Sequence, residues 1–309
     1  MDLHKLRSFI CIVDQRSFSK AASLLRIAQP ALSRQIKMLE EDLGVPLLVR
    51  TGRGVVANAA GEIVADHARR LLQAAQALRE AVHAEGGQPS GALSLGVPPS
   101  LGISLLPLLG LGFQERFPKV RLHLVEGFSA SIHEWILAGR LDMAILYEMS
   151  SMGHLVVTPL LEEATMLVGP AGCFAPGTRV SPQRLAQVPL VLPARPHRLR
   201  LMIDSLALTS QCAIDPVIEI DALPALIEAV RLGRVYTVLP YASVESMVQR
   251  GELTVAEIDT PLATRRMALA RPTEKPLSPA GLALEQAIIQ LVCDHAQRLR
   301  WQPLIQPNG

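Results

Sequence analysis

The first 44 residues of this 309-residue sequence contain three short helical patterns in close succession, and this feature constrains the fold most. Between Leu3 and Val13, apolar residues recur every three or four positions, which is the period of a helix with one buried face. Ser17 stands where an N-cap is expected, and a shorter helical pattern follows it as far as Arg26. A third helix is predicted directly after a tight break.

The third pattern separates an apolar face from a polar one. It opens at Gln29, where the following proline is tolerated because a first turn has no acceptor for the missing N–H, and it ends at Gly44. The residues on its polar face near the helix start suit a major groove, since Gln pairs with adenine, Arg with guanine, and Lys holds phosphate. These residues are Gln29, Pro30, Ser33, Arg34 and Lys37. The pattern predicts a helix-turn-helix, and a merely solvated polar face is the alternative.

Two β-type runs follow, at 45–49 and 55–56, around a glycine-punctuated turn with cations. Arg50 and Arg53 lie in this turn, and Arg53 is the candidate for a minor-groove or phosphate contact. Residues 1–62 carry nine Lys and Arg against six Asp and Glu, whereas the whole chain has a net charge of only +2. The basic excess therefore lies in the segment that is predicted to bind DNA.

The N-terminal segment resembles the DNA-binding signature of LysR-type transcriptional regulators, almost continuously over its first 65 residues. The resemblance rests on the strings at 18–22, 28–36, 39–40, 43–44 and 47–50. It implies a winged helix-turn-helix in which Gln29, Pro30, Ser33 and Arg34 enter the major groove and the wing reaches a flanking minor groove. Short strings at 27–33 and 143–148 are similar to the nitrogen-assimilation-control branch of the family.

Two residues depart from the family pattern. Ala28 replaces a Ser or Thr, so the recognition helix lacks a side-chain cap worth about 1 kcal/mol. Asn58 replaces a Thr before the next helix and is expected to cap it equally well. Neither departure changes the expected fold.

A long helix with an apolar seam is predicted from residue 59 to 85, where the chain has no proline. Six residues step alternately by four and three positions, as in a coiled coil: Val64, Ala68, Leu71, Ala75, Leu78 and Val82. The family resemblance favours a helix that joins two subunits, so we expect a dimer or tetramer. The alternative is that the stripe packs on its own domain. A glycine-rich stretch at 86–91 is predicted to be a hinge.

After the hinge, short apolar runs alternate with helical patterns, which predicts α/β units around mostly parallel sheets. Strands are expected at 92–97, 120–125, 142–147, 190–192, 217–220, 235–239 and 267–270. Helices are expected at 101–116, 130–138, 199–208, 223–232, 244–250 and 280–299.

The overall fold class is therefore α/β, with a winged helix-turn-helix at 1–58 and a linker helix and hinge at 59–91. The family resemblance implies a C-terminal pair of α/β subdomains similar to periplasmic binding proteins. Subdomain I is expected at 92–162 with 268–300, and subdomain II at 163–267.

In such sheets, ligands lie beyond the carboxyl ends of the strands, near helix N-termini. By the family's pattern, the residues expected around a small-molecule effector are Ser100, Leu101, Ser129, Tyr147, Pro193 and Ala194. The two serines are equally well explained as helix caps, and Tyr147 as a packed residue. The basic residues at 195, 197, 198 and 200 form either an anion-binding cluster or, as we favour, a solvated surface. The effector's charge stays open, with an anion as one alternative.

Nothing in the sequence indicates an enzyme, a cofactor or a metal site, because phosphate-binding, dinucleotide-binding, nucleophile-elbow and zinc-protease motifs are absent. The four cysteines are far apart, and buried reduced thiols are expected; a redox switch through Cys173 and Cys212 is the alternative. Neither a membrane span nor a secretory signal is expected, which favours the cytoplasm. The expected partners are promoter DNA, an effector and further copies of the chain, with RNA polymerase as an additional candidate.

Overall fold

The computed structural model describes residues 2–52, 54–83, 88–147, 153–273 and 277–307. The predicted wing-tip residue Arg53 and residues 84–87 of the predicted hinge lie outside these ranges, as does the side chain of Val82. The chain divides into two compact units, residues 1–87 with 135–140 and residues 88–134 with 141–309.

The first unit opens with the three predicted helices. Their ends match the local signals, because the Ser17 hydroxyl accepts from the amide of Lys20 and Gly44 ends the third helix at a φ of +73°. Ala28 provides no side-chain cap for the third helix, as predicted from the sequence. The helices are α1 (Leu3–Gln15), α2 (Phe18–Leu25) and α3 (Gln29–Leu43).

A two-stranded antiparallel wing follows, formed by β1 (Leu48–Thr51) and β2 (Gly54–Ala57). Strand β1 begins at Leu48, whereas the sequence predicted a start at residue 45. Pro46 lacks a backbone N–H, and the amide of Leu47 donates to the Glu40 carboxylate at 2.7 Å instead of to a neighbouring strand. The wing is thereby attached to the C-terminal half of α3.

The linker helix is α4 (Ala59–His83), and Asn58 caps it by accepting from the amide of Gly61 at 2.8 Å. A Cβ at Gly61 would collide with the carbonyl oxygen of Leu47, so only glycine allows this close approach. The first turns of α4 complete the core of the unit, which contains Phe9, Ile12, Leu32, Leu39, Leu47 and Ala65.

In the second unit, all of the predicted helices are present within a few residues. They are α5 (Pro99–Arg116), α6 (Ser129–Leu137), α7 (Arg198–Thr209), α8 (Leu223–Arg231), α9 (Glu245–Gln249) and α10 (Pro279–Leu299). The predicted strands correspond to β3 (Gly91–Val97), β4 (Val120–Glu126), β5 (Met143–Tyr147), β8 (Val191–Leu192), β9 (Ile218–Glu219), β10 (Thr237–Pro240) and β12 (Thr264–Pro272).

Four strands were not predicted: β6 (Leu155–Pro170), β7 (Arg179–Val180), β11 (Leu253–Ile258) and β13 (Trp301–Pro303). The 16-residue β6 has no steady alternation of apolar and polar residues, because it is buried on both faces over part of its length and contains Pro159 and an acidic pair. Strands β7 and β13 are too short to give a pattern.

The expectation of mostly parallel sheets is wrong. Strands β3, β4 and β5 are parallel, but β12 pairs with both β5 and β6 in antiparallel register, and β10, β11 and β13 are all antiparallel to β6. The strand order along the main path is β4-β3-β5-β12-β6-β11-β7. The chain passes through β6 in one direction and returns through β12 in the other, so these two neighbouring strands are antiparallel.

The second unit has two hydrophobic cores at different positions along β6, and each core defines one lobe of the unit. One contains the α5 and α10 residues Leu105 and Leu284 with Leu95 of β3. The other contains Ile203 of α7 and Val230 of α8. Strand β6 contributes residues to both cores, and β12 starts directly after Ala263 of the second core and contributes Met267 to the first. The chain therefore crosses between the lobes through these two strands.

Candidate functional site

The polar face of α3 is presented to solvent. Gln29, Pro30, Arg34 and Lys37 are exposed and Ser33 is half-buried, while Leu32, Ile36 and Leu39 on the opposite face are buried. Lys37 is 3.7 Å from Glu41, an exposed pair whose attraction is weak. Arg34 makes no ion pair with any residue that the structure describes. The N-terminal half of α3 therefore displays an amide, a hydroxyl and two cations to a ligand.

Two other predicted DNA contacts flank this face. The Ser17 hydroxyl caps α2 through the Lys20 amide and lies 3.1 Å from the Ser19 hydroxyl, so capping already uses one of its lone pairs. Arg50 is exposed on β1, opposite Val55 of β2. Arg53, which the sequence predicts to lie at the wing tip, is outside the described residues.

The predicted seam of α4 divides into two parts. Ala68 is buried in the core of its own unit, and Val64 is half-buried and packs against that core, so this part of the seam is engaged within its own unit. Further along the helix, Leu71 and Leu78 are 46% and 67% exposed, and Ala75 is half-buried. The prediction of one continuous intersubunit seam is therefore wrong for its first third, because α1 already covers it.

In the second unit, a cavity of about 490 Å³ opens between the two lobes. Five of the six predicted effector residues line it: Ser100, Ser129, Tyr147, Pro193 and Ala194. Leu101 does not, because its side chain is fully buried in the α5 core and its amide donates to the carbonyl of Pro98. The prediction of Leu101 is therefore wrong.

Helix starts place the two serines in the cavity wall. Ser100 lies in the first turn of α5 and Ser129 is the first residue of α6, each directly after a strand of the parallel part of the sheet. Helix α6 can lie close to β3 because Gly96 has no side chain. A Cβ at this position would collide with Leu141 and press on Ile132. In α5 the amides of Leu101 and Gly102 already donate to the carbonyl of Pro98, so it is mainly the first turn of α6 that offers free N–H groups at this end of the sheet.

A buried ion pair lies behind the cavity. Nη2 of Arg265 on β12 is 2.6 Å from Oε1 of Glu163 on β6, and Trp301 of β13 donates its indole N–H to the other carboxylate oxygen at 3.1 Å. Burial raises the pKa of Glu163 to about 8, against the opposing effect of the Trp301 hydrogen bond, and lowers the pKa of Arg265 to about 9. Both shifts reflect the cost of removing charge from water.

Arg265 connects this pair to the cavity, which it also lines. Nη2 donates to the Ser100 hydroxyl at 3.0 Å, and the guanidinium lies over the Tyr147 ring at 4.7 Å from its centroid. The Ser100 and Tyr147 hydroxyl oxygens are 3.3 Å apart. Ser100 is therefore part of a polar network and not a simple helix cap, and Tyr147 is both packed and in contact with the cavity.

The two lobes meet across the cavity at Phe128 and His197, whose rings form an edge-on contact with centroids 5.1 Å apart. Nδ1 of His197 accepts from the amide of Leu199 and caps α7. Burial lowers the pKa of His197, and Asp221 partly opposes this. At neutral pH the imidazole is therefore a neutral cap, as its hydrogen bond requires.

The basic residues at the start of α7 do not converge on one point. Arg200 is buried and holds Asp204 and Glu219 at 3.0 and 2.7 Å, and Arg195 makes a two-pronged contact with Asp204. These two arginines anchor the loop at 193–198. Arg198 is exposed and lines the cavity. The interpretation as a solvated surface is therefore wrong for Arg200, which is a structural residue.

Comparison with known proteins agrees with this geometry. The model of the bacterial regulatory helix-turn-helix protein, lysR family, matches residues 3–62, and the LysR substrate binding domain model matches residues 86–292. The chain belongs to the LysR family of transcriptional regulators. It is 34% identical to the nitrogen assimilation regulatory protein nac of Klebsiella aerogenes over 94% of this chain and 95% of that protein. The corresponding protein of Escherichia coli K12 is 33% identical over 98% and 99% of the two chains.

Full-length LysR-type structures share the fold. A full-length OxyR variant from Pseudomonas aeruginosa superimposes with a TM-score of 0.79 at 24% identity, covering 99% of both chains. CbnR in complex with its target DNA gives a TM-score of 0.65 at 23% identity, covering 94% of this chain and 99% of that one. Both the sequence resemblance to LysR-type regulators and the similarity to the nitrogen-assimilation branch are confirmed, and the relatives are regulators, not enzymes.

Sequence reasoning about this LysR-family regulator missed several cavity residues. Arg265 and Glu163 are each part of a charged doublet, and the doublets at 162–163 and 265–266 are of opposite sign. This complementarity was the available signal, since in antiparallel register Glu163 faces Arg265 and Glu162 faces Arg266. His133 of α6, which the sequence did not single out, also lines the cavity.

The cysteines differ from the expectation of four buried thiols. All four are free, but Cys173 is exposed, and its sulfur accepts from the hydroxyl of Tyr236 at 3.5 Å. Burial raises the pKa of the Cys11 and Cys293 thiols, which makes them less reactive. The suggested redox switch through Cys173 and Cys212 stays a prediction. Within the described ranges, no helix has the length and apolarity that a membrane span requires.

Proposed function

We propose that this LysR-family protein regulates transcription by placing the N-terminal half of α3 in the major groove of promoter DNA. Gln29, Ser33 and Arg34 would read base edges beside Pro30, and Lys37 would hold a phosphate. The single observation that carries the proposal is that these polar side chains of α3 point to solvent while its apolar side chains form the core. CbnR, a full-length structural neighbour, is described in complex with target DNA.

The wing and an adjacent helix start would extend this interface. Arg50 and Arg53 would contact the flanking minor groove or its phosphates, and Ser17 would add a phosphate contact from the start of α2. The exposed part of α4, at Leu71, Ala75 and Leu78, would join two copies of the chain. Two recognition helices in one oligomer would then read an interrupted palindrome.

A small molecule in the cavity of the second unit would control this binding. Subdomain I, at 92–162 with 268–300, and subdomain II, at 163–267, would move as two bodies. Their boundaries fall within β6 and β12, and β12 has a register shift between Met267 and Ala268. An effector that binds one cleft geometry better than another would shift the population toward it and change how DNA is bent.

A bacterial promoter lies in the cytoplasm and is bound by RNA polymerase, which supports two further inferences about location and partners. We infer that the protein acts in the cytoplasm as a dimer or tetramer and that RNA polymerase is its partner at the promoter. Whether it activates or represses depends on the position of its site relative to the polymerase.

A footprint on the DNA upstream of the protein's own gene tests the proposal. Purified full-length protein at a stated salt concentration should protect an interrupted palindrome, and Arg34→Ala should abolish the protection at the same concentration. Binding equal to that on random DNA, or a footprint that Arg34→Ala leaves unchanged, would reject the assignment of α3.

A further inference from the structure

Two polar atoms in the wall of the effector cavity have no hydrogen-bond partner among the described residues. They are Oγ of Ser129, a residue that is only 6% exposed, and Nε2 of His133. Both residues line the cavity. A buried polar atom without a partner costs about 1–3 kcal/mol, so such atoms in a folded protein need an explanation.

The two atoms belong to one binding surface. Ser129 and His133 are four residues apart on α6, which places their side chains on the same face of the helix, one turn apart. Ser129 is the first residue of that helix, so the amide N–H groups of the first turn point in the same general direction. The hydroxyl and the imidazole nitrogen can both act as donors, and with the helix N-terminus they form one surface whose two side-chain atoms have no partner among the described residues.

The charges around the cavity favour an anion. Among the residues that line it, Arg195, Arg198 and Arg265 are cationic, and Asp221 is the acidic one within the described ranges. Asp221 already accepts from the amide of Ala194 at 2.9 Å. Although Arg195 and Arg265 have carboxylate partners, Arg198 has no ion pair within the described part of the chain.

Most of the remaining wall is apolar. Phe128, Ile220, Leu223, Leu226 and Leu239 all contribute to it. A cavity of about 490 Å³ lies within the usual size range of small-molecule sites, and an inorganic ion would leave most of it unfilled. The wall suits a compound with an apolar body and one anionic group.

We propose that the cavity binds organic acids, and that His133 is a specificity-determining residue that donates from Nε2 to the effector's carboxylate beside the Ser129 hydroxyl. The proposal rests on the proposed effector response, and it adds the chemical class of the effector and the residue that selects it. The apolar body lies toward Leu226 and Leu239. A neutral amide of the same shape presents its NH₂ group to these donors and is rejected, because the donors then stay unpaired.

Calorimetric titration of the full-length protein tests this with two matched pairs of compounds. Hexanoate and phenylacetate supply the carboxylate, and hexanamide and phenylacetamide are their neutral counterparts, all at the same ionic strength and pH. We expect each carboxylate to bind at least about tenfold more tightly than its amide, the size of a hydrogen bond to a charged group.

Variants of the two cavity residues test which side chains cause the preference for carboxylate over amide. His133→Leu and Ser129→Ala should each reduce the preference for carboxylate over amide by about tenfold, and His133→Gln, which keeps a donor, should restore part of it. His123→Leu is the matched control, because His123 is exposed on β4 and does not line the cavity. It should leave the preference unchanged, and unfolding curves should show that all variants are folded.

Three results would overturn the proposal: equal affinity for acids and amides, a preference that survives both cavity variants, or no binding of any of the four compounds. The proposed function fails separately. If carboxylates bind through His133 but the DNA footprint does not change, the site is assigned correctly and the regulatory response is not. If a neutral compound changes the footprint, the regulatory response stands and this assignment is rejected.

Discussion

Arg265 and Glu163 face each other across the two strands that connect the lobes, with Nη2 and Oε1 2.6 Å apart and both side chains almost fully buried. On the opposite side of the same two strands, Arg266 and Glu162 are 2.8 Å apart, and the arginine is mostly exposed. An Arg–Glu pair thus occurs at each of two adjacent register positions, and one pair is buried while the other is exposed to solvent. This arrangement provides a matched comparison of buried and exposed ion pairs.

Arg265→Met should lower the free energy of unfolding of the effector-binding unit by about 3–5 kcal/mol, because Glu163 then loses the hydrogen bonds from the buried guanidinium and has no counter-charge when it ionises. Arg266→Met, the exposed control, should cost less than about 1 kcal/mol. Urea unfolding followed by tryptophan fluorescence measures both. The double variant Arg265→Met with Glu163→Leu should recover part of the loss, and equal losses in the two single variants would contradict the interpretation.

The raised pKa of Glu163 predicts a pH-dependent stability. Between the ordinary value of 4.5 and about 8, folded Glu163 holds a proton that the unfolded chain releases, so stability should fall as the pH rises through this window. The lowered pKa of His197 acts in the opposite sense, and its effect is complete once the pH exceeds about 6.5. Glu163→Gln should therefore flatten the profile between pH 6.5 and 8. Urea unfolding at four pH values tests this, and parallel profiles for wild type and variant would contradict it.

Arg34 and Lys37 should affect DNA binding in different ways. Arg34→Ala should weaken binding to the specific site by about 1–3 kcal/mol and reduce discrimination against random DNA. Lys37→Ala should weaken binding to both DNAs equally and reduce the salt slope by about one. Fluorescence anisotropy over a salt series separates the two. If both variants lost specificity alike, the distinction between base and phosphate contacts would be wrong.

The exposed half of α4 should carry the association of subunits. Leu78→Asp should weaken oligomerisation, because a carboxylate replaces a 67% exposed leucine in an apolar stripe. Ile63→Asp is the control, at a site that is 63% exposed and outside the predicted seam. Sedimentation velocity over a concentration series reports the mass. A dissociation constant that Leu78→Asp does not change would place the interface elsewhere.

Local signals were enough for the elements of the N-terminal unit. Ser17, Gln29 and Gly44 mark helix ends through interactions within a few residues, so each boundary follows from its own neighbours. The long strand β6 is different, because it belongs to both lobes and its partners come from residues up to 142 positions away. No periodic pattern in a short window contains that information.

The same distinction applies to the sites. The sequence alone was sufficient to predict which residues of α3 face solvent, since a helix with one apolar face has only one polar face to display. With the family's pattern, it also indicated six residues around an effector, and five of them line the cavity. Only the tertiary structure decided that Ala68 is used within its own unit, that Leu101 is core, and that Arg265 and His133 reach the cavity. These outcomes depend on which surfaces long-range packing has already covered, and burial of that kind is a property of the whole fold and not of any segment.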